Sequence, residues 1–273
     1  MIKFKCFFTA IAFFWLWSCG FWAIFQFLSS GKIAWLGPLI NAWALPLWML
    51  LRFARPGRYS GDLRETPAFA AVLAGLAVAL LSDSERGAPV YLAICNLFVC
   101  LIYLFHLSAL NHPDMPAVGS RFPLLTTING NSWDAGQYSR RDNCAGLLLV
   151  FLRGSFCADS RAMLARLPEL LPELRKRGIE LLLFSTEPPT LWPAHLRERL
   201  SVNMFQLSAG AAANTPFIAR GGAPLLSQHT AALRPSQWLL DREGFVLWRH
   251  LPANYRTPGD AALMRGQLFR LEE

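Results

Sequence analysis

Leu147-Leu148-Leu149-Val150-Phe151-Leu152, then Arg153-Gly154-Ser155-Phe156, then Cys157-Ala158-Asp159-Ser160, then Leu164, Leu167, Leu171 and Leu174 on one stripe: this stretch decides the fold. Six apolar residues ended by a glycine turn read as a buried strand, and the spacing that follows reads as an amphipathic helix. Cys157 therefore stands where a strand hands over to a helix. Unsatisfied N–H groups at a helix N-terminus favour a thiolate, so the pKa of this cysteine is expected to fall and its sulfur to be nucleophilic. The plainer reading of a single cysteine is a small buried hydrophobe.

Downstream, Pro168 and Pro172 fall inside the helical pattern and predict a kink or break, because each removes a backbone hydrogen bond. Gly178 ends the helix. Ile179 to Phe184 reads as a second buried strand. Leu191 to Leu200 reads as a helix with Trp192, Leu196 and Leu200 on one side, and Val202 to Leu207 as a third strand. From Ala209 to Ala232 no pattern emerges. Arg234 to Leu240 predicts a strand opened by Pro235, Asp241 to Gly244 a turn, Phe245 to Trp248 the returning strand, and Thr257 to Leu271 a closing helix. Upstream, Phe122 to Ile128, the turn Asn129-Gly130-Asn131 and Trp133 suggest a hairpin or extended arm. Strands alternating with helices and then a hairpin indicate an α/β domain with a mixed sheet flanked by helices.

Working further outward, 273 residues suffice for about two domains. The hydrophobic fraction of 53%, with ten Trp and twenty Phe, is concentrated in the first 110 residues. Four apolar stretches near 6–30, 33–51, 67–81 and 88–110 predict an all-α transmembrane region of about four helices, the third being short and rich in alanine. A cleavable leader is the alternative for the first stretch, but its apolar run is long and aromatic for one. Residues 111–120, with Pro113, Pro116 and Gly119, read as a linker, and 121–273 as the α/β domain. Lys3, Lys5, Arg52, Arg55, Arg58 and Arg64 outweigh Lys32 and Arg86 on the opposite loops. The chain is therefore expected to be an integral membrane protein, in the cytoplasmic membrane if bacterial, with the α/β domain facing the cytoplasm if all four stretches cross. If the third does not cross, that domain lies outside.

Several functions are excluded. The net charge of +8 divides evenly on either side of residue 111, so no basic block marks a nucleic-acid footprint. His106, His112, His195, His229 and His250 lack metal-ligand spacing, and there is no glycine-rich phosphate loop. No metal or cofactor is expected. Gly154-Ser155-Phe156-Cys157 breaks the nucleophile-elbow pattern. Cys6, Cys19, Cys95 and Cys100 lie in apolar stretches. Cys144 and Cys157 flank the strand at opposite ends, beyond disulfide reach.

The segment Val150 to Arg161 resembles the active-site segment of redoxins of the AhpC/TSA, peroxiredoxin-like group, in which a strand, an Arg-Gly pair, an aromatic and a CxxC precede a helix. The stretch Arg234-Pro235 with Gln237 to Gly244 is similar to the strand that starts with a cis-proline facing the active cysteine. Across about 120–270 the resemblance implies a thioredoxin-like fold, with Cys157 as nucleophile, Arg234 binding peroxide and steadying the thiolate, and Pro235, Arg153 and Gly154 shaping the site. Two departures stand out. Ser160 replaces the second cysteine, so its hydroxyl is left to hydrogen-bond the thiolate. Gly154 and Val150 stand where peroxiredoxins carry a hydroxyl residue and a proline.

The resemblance therefore implies a membrane-anchored, single-cysteine thiol peroxidase or thiol–disulfide oxidoreductase. It would use a small peroxide or disulfide substrate and an external thiol such as glutathione or a thioredoxin-like protein, with a homodimer left open. The rival expectation is a degenerate, non-catalytic redoxin domain that serves as a membrane-bound interaction module.

Overall fold

The computed structural model describes residues 2–56, 58, 65–82, 87–224 and 231–272. Arg64, Arg86 and His229 lie outside these, as does the side chain of Lys3. The chain forms two compact units, one of Lys3–Arg55 with Tyr59–Ala109 and one containing Leu110–Glu273.

The first unit is helical: α1 Ile2–Ser30, α2 Leu36–Ala54, α3 Thr66–Leu81 and α4 Ala88–Leu101, the last continuing as a wider turn over Ile102–Leu107. Three helices, Lys5–Ser30, Ile33–Ala54 and Ala88–Leu107, are long and apolar enough to cross a membrane, whereas Thr66–Leu81 is shorter. Helices α2 and α3 meet at Gly37 and Gly75, where neither has room for a Cβ. A Cβ on Gly75 would meet the Asn41 nitrogen and the Gly37 oxygen at 2.6 Å. The approach lets Asn41 Nδ2 donate to the Val72 carbonyl at 2.8 Å, and Trp15 Nε1 likewise donates to Asn96 Oδ1 at 2.9 Å. Arg52, at the last turn of α2, forms a buried ion pair with Glu65 at 3.1 Å.

The second unit is built on a five-stranded mixed sheet. Its arm is the short pair β1 Leu125–Thr126 and β2 Ser132–Trp133, followed by α5 Ala135–Arg141. Then come β3 Gly146–Phe151, α6 Ala158–Arg166, α7 Leu171–Lys176, β4 Ile179–Ser185, α8 Ala194–Leu200 and β5 Asn203–Gln206. A second small pair, β6 Ile218–Arg220 and β7 Ala231–Leu233, precedes the hairpin β8 Ser236–Asp241 and β9 Val246–His250, and in place of one closing helix over Thr257–Leu271 there are α9 Ala261–Arg265 and a tight turn over Leu268–Leu271. The sheet order is β5-β4-β3-β8-β9, with β3, β4 and β5 parallel and the hairpin antiparallel to them. This is the mixed sheet flanked by helices that the alternation of strands, helices and a hairpin predicts.

Strand β3 is central, and all six of its residues are buried. Alternation sends Leu148 and Val150 toward the helical layer with Leu164, Leu167 and Leu174, and Leu147, Leu149 and Phe151 toward Phe122, Phe217 and Trp238. On the second face Phe151 stacks on Phe184 at 5.0 Å and on Phe217 at 4.9 Å, contacts that add about 0.5–1.5 kcal/mol each beyond area burial. The proline break is observed: α6 ends at Arg166, a tight turn covers Leu167–Glu169, and α7 restarts at Leu171. The shift in phase puts Leu170 in the core and leaves Leu171 half-buried. Segment 111–120 runs along the hairpin: Gly119 N and Val246 N bond to Val246 O and Ser120 O, and the Arg249 guanidinium holds the carbonyls of Met115 and Pro116. Chain laid on an edge strand in this way keeps it from pairing elsewhere.

Candidate active site

Cys157 occupies the N-cap of α6, at the carboxyl end of β3, in extended conformation (φ −91°, ψ 117°). It is buried and a free thiol, and its sulfur caps nothing, so the lone pairs are not spent on the helix. Leu152 N donates to Phe184 O at 2.9 Å, extending the sheet one residue past β3 before the chain turns. The turn needs Gly154, whose φ is +157° and whose added Cβ would come within 2.3 Å of the Phe156 ring. Cys157 N then donates to Gly154 O at 3.1 Å.

Three side chains pin this loop. Ser160 Oγ, on α6, accepts from Arg153 N at 3.1 Å. Glu187 Oε2, just past β4, accepts from Ser155 N at 2.5 Å, and Arg161 Nε donates to Ser155 O at 2.8 Å. Both backbone groups of Ser155 are thus held from different elements. Ser160 and Glu187 are buried, so these bonds form away from water, where a charge-assisted one is strong.

Arg153 projects into an aromatic cradle. Its guanidinium carbon lies 4.0 Å from the centre of the Tyr255 ring and 5.4 Å from that of Phe156, and Nη2 donates to Gly222 O at 3.0 Å. Arg234 is employed differently. Its Nη1 donates to the carbonyls of Pro216, at 3.0 Å, and Ile218, and its Nε to Asn111 O at 3.3 Å. Burial lowers its pKa. Arg234 N also donates to Phe217 O at 2.7 Å, so this residue prolongs the β6–β7 pair.

The Arg234–Pro235 peptide is trans, which corrects the cis geometry that the redoxin resemblance implied. The residue before proline serves here as the end of one ladder and the approach to another, an extended path that the ordinary trans isomer provides. The expected site residues thus separate into two groups. Cys157, Arg153, Gly154 and Ser160 are joined by hydrogen bonds and ring contacts in one loop. Arg234 and Pro235 belong to the β7–β8 junction, and Arg234 is tied to three carbonyls.

Sequence reasoning missed Glu187 and Tyr255. Glu187 carries a faint signal as an acid directly after a buried strand, Ser185-Thr186-Glu187. Tyr255 carries none. Cys144 belongs to a different cluster, in which its thiol donates to Glu180 Oε2 at 3.2 Å and the Tyr138 hydroxyl to Glu180 Oε1 at 2.8 Å. Burial, then the bond to Glu180, pushes the Cys144 thiol up to about 12. Among the described residues no cluster of His, Cys, Asp and Glu could hold a metal ion.

No family model matches the chain, and none of the curated proteins matches it. Among solved structures it is similar to a thiol peroxidase from Chromobacterium violaceum, at 17% identity and TM-score 0.42 over 60% of this chain and 93% of that one. It is also similar to reduced Prx3 of Vibrio vulnificus in complex with H2O2, at 15% identity and TM-score 0.42 over 56% and 98% of the two chains. A peroxiredoxin-like protein from Aquifex aeolicus shares 11% identity at TM-score 0.42, over 60% and 92%.

Proposed function

We propose that this chain is a membrane-anchored thiol redox protein that uses Cys157 as its nucleophile. Residues 1–110 form the membrane part, 111–120 the connecting segment and 121–273 the redoxin domain. The single observation that carries the reading is the position of Cys157: a free thiol that makes no cap hydrogen bond among the described residues, at the N-terminus of α6, on a loop fixed by Ser160, Glu187 and Arg161. A fixed loop at a helix N-terminus supports a preorganised nucleophile.

With a peroxide, the thiolate attacks one oxygen. An S–O bond forms as O–O breaks, and the other half leaves as alcohol or water once protonated, giving a sulfenic acid. An external thiol then displaces water to form a mixed disulfide, which a second thiol reduces. With a disulfide substrate, the thiolate displaces one half as a thiolate and keeps the other. Neither route needs a metal or cofactor. The three long apolar helices support membrane anchoring, and the surplus of Lys and Arg at the N-terminus and second loop supports a cytoplasmic redoxin domain if α3 also crosses.

The burial of Cys157 and the glycine at position 154 favour a second reading, a non-catalytic redoxin domain that binds a membrane partner. One experiment decides between them. The full chain in detergent is treated with one equivalent of hydrogen peroxide, or separately of oxidised glutathione, and the peptide containing Cys157 is weighed. Fast oxygen addition supports a peroxidase and a glutathione adduct supports exchange. An unmodified thiol in both refutes catalysis and leaves the binding module.

A further inference from the structure

Arg153 is half-buried, and its Nε is sealed from solvent without a hydrogen-bond partner among the described residues. Among the described residues no carboxylate pairs with it; its contacts are the Gly222 carbonyl and the rings of Tyr255 and Phe156. Buried charges are ordinarily matched, and aromatic faces hold a cation in place without neutralising it. Arg234 and Arg161 are engaged elsewhere, Arg234 on three carbonyls and Arg161 on Ser155 O. Arg153 is also bound into the nucleophile's own loop. Its backbone N–H is held by Ser160, three residues after Cys157, and the ring beneath its guanidinium belongs to Phe156, the residue before Cys157.

We infer that Arg153, packed over the ring of Tyr255 and near that of Phe156, is an anion subsite on the loop of Cys157, and that it selects disulfides carrying a carboxylate. The inference rests on Cys157 being the nucleophile. A planar guanidinium matches a carboxylate by two parallel hydrogen bonds, so the subsite would orient one half of the disulfide while the sulfur is attacked. The bond made is Cys157 Sγ to the near sulfur, the bond broken is the substrate S–S, and the far half leaves as a thiolate with the electron pair. No other oxidant or reductant enters this step. The subsite thus gives the site a cation, the part that the redoxin resemblance implied for Arg234.

The test uses the full chain in detergent at 150 mM salt and three disulfides of similar length: dithiodipropionate (anionic), hydroxyethyl disulfide (neutral) and cystamine (cationic). The rate of adduct formation on the Cys157 peptide is measured by mass. The wild type is expected to react fastest with the anionic disulfide. In Arg153→Met the ratio of anionic to neutral rates falls about tenfold, the scale of one charge-assisted hydrogen bond. Arg153→Lys, which keeps the charge but loses the fork, gives an intermediate ratio and keeps the test valid if the methionine variant misfolds. An unchanged ratio in both variants, with reaction still present, overturns the subsite and leaves the nucleophile standing. Absence of any adduct with all three disulfides overturns the subsite as a disulfide selector, and only if hydrogen peroxide also leaves Cys157 unmodified is the nucleophile itself overturned.

Discussion

Glu187 Oε2 lies 2.5 Å from the backbone nitrogen of Ser155, so a buried carboxylate beyond the end of β4 holds the loop that leads into Cys157. The bond joins two neighbouring strands' ends across the site. Removing the acceptor leaves Ser155 N–H without its partner, at a cost of about 1.5–3 kcal/mol for a charged acceptor. Glu187→Ala is expected to slow alkylation of Cys157 by iodoacetamide roughly fivefold or more. Glu187→Gln, whose amide oxygen still accepts, restores most of the rate. Equal slowing in both variants, tracking a fall in thermal stability, would assign Glu187 to structure alone.

The parts of this site that were legible in the sequence are those carried by local pattern. Strand β3 could be read because both its faces are buried, which demands an unbroken apolar run, and the break after α6 because Pro168 and Pro172 cannot continue a helix. Helix α5 was missed. It has seven residues and no apolar stripe, and its one signal is Asp134, which caps Gln137 N at 2.8 Å. Strands β6 and β7, three residues each, are too short for periodicity to register. Glu187 and Tyr255 reach Cys157's loop only through tertiary packing, which no spacing along the chain announces. Arg234 was legible as a strand-end residue but not in its direction, which is set by the carbonyls of Pro216 and Ile218.

Cys144 provides a control thiol within the same unit. Burial and Glu180 hold its pKa near 12, against 9.0 for an ordinary thiol. At pH 8 its alkylation is expected to be roughly a thousandfold slower than that of an unperturbed thiol, since the thiolate fraction scales with the shift. Because the folded value is raised, this thiol's contribution to stability is complete below pH 9 and is lost as pH climbs from about 9 to about 12. Glu180→Gln should speed labelling of Cys144 and leave that of Cys157 as it was. Peptide-resolved iodoacetamide kinetics across pH 7–10 measure both, and equal labelling of the two peptides in the wild type would contradict the assignment.

His112 fastens the connecting segment to the loop beside the Arg153 cradle, its Nε2 lying 2.9 Å from Pro252 O. Burial lowers its pKa, the bond to Pro252 opposes this, and the charges of Arg234 and Arg249, with that of His250 when it too is protonated, add to the lowering. The folded value lies below the ordinary 6.5. Its contribution to stability is therefore complete above pH 6.5 and is lost as pH falls through the folded value. Hydrogen-exchange protection of residues 250–255, corrected for intrinsic rates, is expected to fall below pH 6.5, and His112→Gln to flatten that dependence. Constant protection down to pH 5 would show that the histidine takes its charge without strain.

In the helical unit the decisive contact is backbone against backbone. A Cβ at Gly75 would come within 2.6 Å of both Asn41 N and Gly37 O, neither of which can rotate away as a side chain could. Gly75→Leu must push α2 and α3 apart, which breaks the Asn41 to Val72 bond and strands a buried amide. Overpacking of this kind costs about 1–3 kcal/mol or more. Among the described residues nothing lies within 4 Å of a Cβ added at Gly87, before α4, so Gly87→Ala serves as a control. The thermal midpoint of the full chain in detergent should drop by several degrees for Gly75→Leu and hold for Gly87→Ala. A midpoint unmoved by the leucine would mean that α2 and α3 do not meet at these glycines.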